Sequence, residues 1–567
     1  MKSLIIFRRI NPNYKVYHHD ISHSKYLNLS ARLKFCTYVK PLPILQQKFS
    51  ANHSRMSFKY KSNEANQKRF TVLGRFNDQT NRNNIENIMQ IITNTATFSE
   101  NSSIDRKQSL SLTSYQPKSY IANVKPKYFL YGVGAEGNIK WSKKGETQLS
   151  YYLHDGKTDE VVVDGQITDI EESLQIEQPS EYHSFEIKVR PNDLGHTYEV
   201  LIPQHLCFAV SGIKDAIRSK YDDYMAKIDN KWLSKTARFQ LDYLLPAYVD
   251  ETLIVKSWSN PDRNEVKSLI MRGEQCLSSF TINFDPQREF TPGRFDPDLD
   301  IISLDSFHVK FNSPHLFYFS DRFKQSDVSK LLYVFLERFE ASLRLGVFDF
   351  NVLASKYSGT LMIVANTGVI NPALYDLPPN TMIRQSMRMT SIGKSSCILT
   401  FEFYDILTEQ LVLSYDNVCI FMKNGKLETF PEAYKKKMLE EVPTRVSDEG
   451  VMLLFKKVPE NHYTYKVKTR SSDVDYNNHI GYAGIFGFCL DTASSAISSN
   501  SSCYKYNFGK DFNPRCIRQK SVSFFREIHL DSEVAIKTWQ AEDKNSLFFS
   551  VEKGSKCVCQ VEFVVDI

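Results

Sequence analysis

The sequence predicts an α+β chain built from a repeated unit: a strand, a polar turn, one long amphipathic helix, then three or four longer strands. Three observations carry this. Apolar residues alternate over short segments that repeat in a fixed order. Two stretches keep helical apolar spacing. Each helix is preceded by a turn that contains an aspartate. Such an order suits a sheet that buries one face against one helix.

The first copy opens with Phe185-Glu-Ile-Lys-Val-Arg and the turn Pro191-Asn-Asp193-Leu-Gly-His196. Its helix is expected over Pro203–Lys220, where Leu206, Val210, Ile213 and Ile217 are spaced 4, 3 and 4 apart. Strands follow at Ala237–Leu244, Thr252–Ser257, Val266–Arg272 and Cys276–Phe284. The second copy has a strand at Ser306–Phe311 and the turn Ser320–Ser326. Ser326 or Asp327 caps a helix through Leu345, with Leu331, Leu332, Phe335, Phe339 and Leu343 on one face. Its strands are expected at Leu361–Asn366, Met382–Thr390, Ser396–Tyr404 and Leu411–Met422. The third copy begins near residue 460 with Tyr463-Thr-Tyr-Lys-Val-Lys-Thr. Its helix is expected over Gly481–Ser498, and its strands over Glu533–Ala541, Ser546–Glu552 and Lys556–Val565. The turns at Asp193, Asp321 and Asp475 fall 128 and 154 residues apart, a sensible domain length.

This divides the 567 residues into a basic segment at 1–65, a linker and strand-rich region at 66–175, and units at 176–295, 296–445 and 456–567. Residues 127–175 read either as an extension of the first sheet or as the remnant of another copy. Through residue 63 the only acid is Asp20, against many lysines and arginines. A basic, acid-poor, Ser-containing leader has the composition of a mitochondrial transit peptide.

Composition narrows the function. A net charge of +6 is too mild for a nucleic-acid protein, though a basic rim suits phosphates or an acidic carrier. No apolar run reaches the ~20 residues that span a bilayer. The ten cysteines include no Cys-x-x-Cys, which argues against a zinc ribbon. No metal and no cofactor is expected. Cys557 and Cys559 read as reduced packing residues.

The densest chemistry is in Arg470-Ser-Ser-Asp473-Val-Asp475-Tyr-Asn477-Asn-His479-Ile-Gly481-Tyr. Carboxylates, an amide and an imidazole crowd a strand-to-helix turn, where a helix N-terminus presents unpaired backbone N–H groups. Only the third turn has the whole set. The first has Asp193 and His196 but no second aspartate and no Asn between them. The second has Asp321, Asp327 and three cations but no histidine. Copies one and two are therefore expected to keep the fold without the chemistry.

Asp-x-Asp-x-Asn-x-His before a helix resembles the active-site segment of hotdog-fold thioesterases, especially acyl-acyl-carrier-protein thioesterases. Ser521-Val-Ser-Phe-Phe-Arg526-Glu527 resembles the strand on which those enzymes carry a catalytic glutamate. The resemblance implies multiple tandem hotdog domains, each a curved antiparallel sheet wrapped around a central helix, and a thioester hydrolase acting on acyl-CoA or acyl-acyl-carrier protein. It casts Asp475 as base or nucleophile, Asn477 as orienting amide, His479 as proton donor and Glu527 as water holder. Asp473 is expected to cap the turn. Departures are Gly481 and Tyr482 where the families continue with asparagines, and a long insert near Ser498–Phe512. An acyl-CoA-binding scaffold without turnover is the alternative. A hotdog hydratase is disfavoured, since its aspartate and histidine stand five apart and here the spacings are four and six, without the proline. Hotdogs work in pairs. Copies one and two are expected to pair, leaving the third to find a partner in the residues before 180 or in a second chain, a homodimer being the simpler arrangement.

Overall fold

The computed structural model describes residues 67–71, 89, 118–124, 136–144, 148–155, 158–169, 179–195, 198–228, 235–287, 300–304, 308–313, 328, 332, 346–377, 383–442, 456–470, 473–474, 479–506, 508–542 and 545–566. The basic segment 1–65, the turn Ser320–Ser326 and most of the second predicted helix lie outside them. Of that helix, Val328 and Leu332 are described, helical and buried.

Two antiparallel sheets organise residues 66–567. The first contains β1 (Gln67–Thr71), β2 (Lys118–Val124), β3 (Glu136–Lys144), β4 (Gln148–Asp155), β5 (Val161–Asp169), β6 (His183–Lys188), β7 (Thr236–Tyr243), β8 (Thr252–Asn260), β9 (Glu265–Arg272) and β10 (Gln275–Phe284), in the order 1-3-4-5-2-7-10-9-8-6. The second contains β11 (Asp300–Leu304), β12 (His308–Ser313), β13 (Gly359–Ile370), β14 (Ile383–Ile392), β15 (Ser396–Asp405), β16 (Leu411–Lys423), β17 (Lys426–Leu427), β18 (Tyr463–Lys468), β19 (Ile517–Phe524), β20 (Glu533–Gln540), β21 (Ser546–Lys553) and β22 (Lys556–Val565). Its order is 11-12-14-15-16-13-19-22-21-20-18, with β17 beside β16.

The helices whose bounds are described are α1 (Ile202–Arg218), α2 (Phe350–Tyr357), α3 (Glu432–Met438) and α4 (Tyr482–Ser498). α1 packs against β6, β8 and β9, and α4 against β18 and β20. α1 buries Leu206, Val210 and Ile213, three of the four periodic residues, while Ile217 is partly buried. The burial of strand β15 alternates strictly, as expected for a sheet with one face against the core. This sheet-rich architecture fits a hotdog-like fold.

The first and third copies correspond residue by residue. β6 and β18, and α1 and α4, match at an offset of 280. β7 and β19, and β10 and β22, match at 281. One extra residue in the third copy between helix and sheet accounts for the change.

Two expectations are corrected. Among the described residues copies one and two do not pair by strands. The first sheet joins β7 to β2, from the residues before 180, and the second joins β19 to β13, so copy three pairs with copy two. The third copy thus finds a strand partner within the chain, in copy two. Also, the counterpart of Asp193 is Asp473, at the offset of 280, and not Asp475.

The insert near Ser498–Phe512 is packed down. Gln540 Oε1 accepts the Lys505 and Tyr506 N–H groups at 2.6 and 3.0 Å, and the Tyr504 hydroxyl lies 2.7 Å from that of Thr538. Cys557 and Cys559 are thiols, not a disulfide.

Candidate active site

β18 delivers the chain to a tight turn. The Arg470 N–H donates to Asp473 Oδ2 at 2.8 Å, and the Asp473 N–H donates back to the Arg470 carbonyl at 3.0 Å. Asp473 therefore caps the turn, as expected, and its two carboxylate oxygens also accept from Arg190 Nη1, at 3.0 and 2.9 Å. Arg470 makes the same fork to Asp193, at 3.0 Å to each oxygen. All four side chains are buried. Desolvation pushes the Asp473 carboxyl up, but Arg190 and Arg470 outweigh it and hold it below the ordinary range. Burial likewise works against the Arg190 cation, and Asp473, Asp193 and Asp491 overcome that.

The arrangement has approximate twofold symmetry within one chain. Arg190 also donates to the Lys468 carbonyl, and Arg470 to that of Lys188. The Arg190 guanidinium lies 5.1 Å from the Phe488 ring centre, and that of Arg470 5.0 Å from Phe208. One contact breaks the symmetry: the Asn192 N–H donates to Asp491 at 2.7 Å and its amide to the Gly487 carbonyl at 2.9 Å, seating the first copy's turn on α4.

Beyond the cap the chain runs to α4. Asp475 and Asn477 lie outside the described residues. His479, partly buried, pairs with His529 in an antiparallel bridge, and the Ile480 N–H donates to the Ile528 carbonyl at 2.8 Å. The His529 loop is tied to the end of β18: Thr469 Oγ1 donates to the His529 carbonyl and accepts the Ser532 N–H, both at 2.9 Å. Glu527 lies in this loop, after β19 has ended at Phe524, and not on a strand as its motif suggested. Its Oε2 is 3.7 Å from His529 Nε2, with both side chains about half exposed (48% and 53%). The backbone pairing thus brings His479 beside the loop that carries Glu527 and His529. Nothing in the motif that ends at Glu527 singles out His529. Its position two residues after Glu527, opposite His479, is what distinguishes it.

α4 begins at Tyr482 after the N-cap Gly481, which has extended backbone and offers no side chain to the first N–H groups. Its residues are buried from Tyr482 through Ala496. The positive end of its dipole faces the segment His479–Gly481 that leads into it. The Tyr482 hydroxyl lies 3.4 Å from the Leu332 carbonyl and 3.3 Å from the Tyr415 hydroxyl, so the helix start abuts copy two.

Among the described residues no helix is long and apolar enough to cross a membrane. No protein-family model matches the sequence, and no curated protein matches it. Solved structures do resemble it. A 12:0-ACP thioesterase from Umbellularia californica aligns over 47% of this chain and 99% of its own, at 14% identity and a TM-score of 0.38. A 1,4-dihydroxy-2-naphthoyl-CoA thioesterase from Synechocystis aligns over 24% of this chain and 97% of its own, at 11% identity and a TM-score of 0.20. A MaoC-like dehydratase from Phytophthora capsici aligns over 36% and 72%, at 15% identity and a TM-score of 0.23. In structure, then, the chain resembles acyl-ACP thioesterases and other hotdog-fold thioesterases.

Proposed function

We propose that this protein is an acyl-thioester hydrolase in which hotdog units pair within one chain. Residues 66–175 pair with 176–295, and residues 296–445 with 456–567. The reaction belongs to the last unit. A thioester carbonyl sits at the N-terminal end of α4, where backbone N–H groups near Asn478–Gly481 stabilise the tetrahedral oxyanion. A good donor there is worth about 3 kcal/mol. Asp475 acts as base or nucleophile, Asn477 orients the water or the carbonyl, and His479 gives a proton to the departing thiolate. Glu527 acts through His529, orienting the pair of imidazoles rather than reaching the carbonyl. The acyl group lies along the seam where Tyr482 meets copy two. Coenzyme A and acyl carrier protein both remain carriers to be compared.

The observation that carries the reading is the placement of His479 beside the Glu527–His529 loop, at the mouth of a buried helix that follows Asp475 and Asn477. The test is thiol release by the purified full chain on a panel of acyl-CoA and acyl-acyl-carrier-protein substrates. Turnover that disappears with Asp475→Ala supports it. Binding of acyl-CoA without hydrolysis turns the reading toward a scaffold. Hydration of enoyl-CoA turns it toward a hydratase.

For residues 1–65 we propose an address function, directing the chain to mitochondria. Its support is composition alone.

A further inference from the structure

Lys520, on β19, has no solvent exposure, and its Nζ has no hydrogen-bond partner among the described residues. It is surrounded by rings. Nζ lies 4.5 Å from the Tyr482 ring centre, 5.5 Å from Tyr415 and 5.7 Å from Phe486. Burying a cation costs several kcal/mol unless it is paired, and rings return only part of that. The position does not require a lysine. Its counterpart in the first copy, at the offset of 281, is Phe239, equally buried. Each faces a strand at the junction of its sheet, Phe239 opposite Ala122 and Lys520 opposite Gly368. A Cβ on Gly368 would stand 2.9 Å from Tyr415 Cβ and 3.3 Å from Lys520 Cε. The glycine leaves room for the lysine stem to cross.

Lys520 is not alone. Two residues along the paired strands, on the same sheet face, Asn366 and Asn417 are fully buried and share one hydrogen bond of 2.6 Å. Asn366 Oδ1 and Asn417 Nδ2 are left without partners, and so are both amide atoms of buried Gln385, on the same face of β14. Buried polar atoms are nearly always paired, so five unpaired on one face need an explanation. A face meant only for packing, or for a plain hydrocarbon chain, gains nothing from them. The face adjoins the candidate site. Tyr482, whose ring covers Nζ, is three residues after His479, at most about 10 Å of extended chain.

We propose that Lys520, with Asn366 and Asn417 beside it, forms a specificity subsite for an acyl group that carries a carboxylate on its chain, so that the preferred substrate is a half-thioester of a dicarboxylic acid. The proposal rests on the hydrolase reading for its chemistry and on this buried face for its selectivity. The carboxylate supplies the counter-charge that Lys520 lacks and accepts from the free Asn417 amide. The Asn366 amide oxygen discriminates a second oxygen, such as a hydroxyl. Burial lowers the Lys520 pKa to about 7, so the empty subsite holds its proton weakly, and an arriving anion raises its hold.

The test compares matched thioesters, adipyl-CoA and hexanoyl-CoA, with the full chain and with Lys520→Met. The wild type is expected to favour adipyl-CoA at least about tenfold in kcat/KM, mostly through KM, and the variant to bring that ratio near one. Equal use of both thioesters by the wild type overturns the subsite, as does a ratio unchanged in Lys520→Met. A second readout is independent of turnover. Free adipate should protect the wild type against thermal unfolding and move the titration of 15N-labelled Lys520 upward, with hexanoate doing neither. If no thioester is hydrolysed but adipate still shifts Lys520, the hydrolase reading fails and the subsite stands. If hydrolysis proceeds and adipate leaves Lys520 unmoved, the subsite fails and the lysine is held by its rings alone. Should Lys520→Met fail to fold, the labelled wild type decides by itself.

Discussion

Arg190 grips Asp473, 283 positions away, with its Nη1 shared between the two carboxylate oxygens, and Arg470 grips Asp193 in the same way. Each arginine thus sits at the foot of one copy's turn while its charge is neutralised by the other's. The first copy's turn, expected to be a relic, holds the start of the candidate catalytic turn in place.

Removing one partner leaves a buried charge uncompensated, which typically costs about 3–5 kcal/mol. Asp193→Ala is therefore expected to lower the urea midpoint strongly and to reduce thioesterase activity by displacing Arg470. Replacing Arg470 and Asp193 together with methionine and leucine should cost less than either single change. A double-mutant cycle by urea denaturation gives the coupling, and additive losses would rule out the clamp.

Asp475→Ala and His479→Ala are each expected to cut acyl-CoA hydrolysis about a hundredfold or more, as loss of a general base or acid does. His529→Ala and Glu527→Gln should cost less, since they act through another group. Steady-state kinetics with circular dichroism checks both. Wild-type turnover in folded His479→Ala would remove that residue from the chemistry.

His205, fully buried in α1, carries an acid-sensitive cost. Burial lowers its pKa to about 3, its Nδ1 is 3.0 Å from Ser278 Oγ, and its Nε2 has no partner among the described residues. An unfolded histidine titrates near 6.5. Between those values the unfolded chain binds a proton that the native state refuses, so stability is full above about pH 6.5 and falls as the pH drops toward 3. His205→Ile, the residue type at the matching position Ile485, should flatten that fall. Urea midpoints at pH 8 and pH 4.5 compare the two, and parallel declines would show that other groups dominate.

Lys520 works in the opposite range. Its native pKa of about 7 lies below the ordinary 10.5, so the unfolded chain binds the extra proton between pH 7 and 10.5 and stability rises across that window. Below pH 7 both states are protonated and the full cost of the buried cation stands. Burial pushes the facing hydroxyls of Tyr415 and Tyr482 up, so neither adds charge there. Lys520→Met should raise Tm at pH 7, with the gain shrinking by pH 10. A constant gain would mean that packing and not charge is responsible.

Residues 1–70 fused to a fluorescent reporter are expected to reach mitochondria, and a chain starting at residue 66 is expected to fold. A reporter left in the cytosol would end the address proposal.

The strands were legible because alternation is local. β22 matches its expected bounds, and β15 and β20 differ from theirs by one residue. Which strands become neighbours was not, because the pairing of β19 with β13 joins residues some 150 positions apart and nothing in either segment names its partner. α2 was missed, since eight residues hold too few turns for a period to emerge. Glu527 was placed on a strand by the motif, yet the ladder stops at Phe524. Lys520 gave a signal that went unread. It shares parity with Val522, a buried residue, so the alternation of β19 already points it inward.

The exchange of Phe239 for Lys520 shows what a fused pair of copies permits. In an assembly of identical subunits, one genetic change appears at every equivalent position, so a costly lysine would enter both cores at once. Covalent linkage frees each position to vary alone. One copy retains an inert aromatic filling while its twin accepts instability in exchange for selectivity, and the division of labour is written into a single polypeptide.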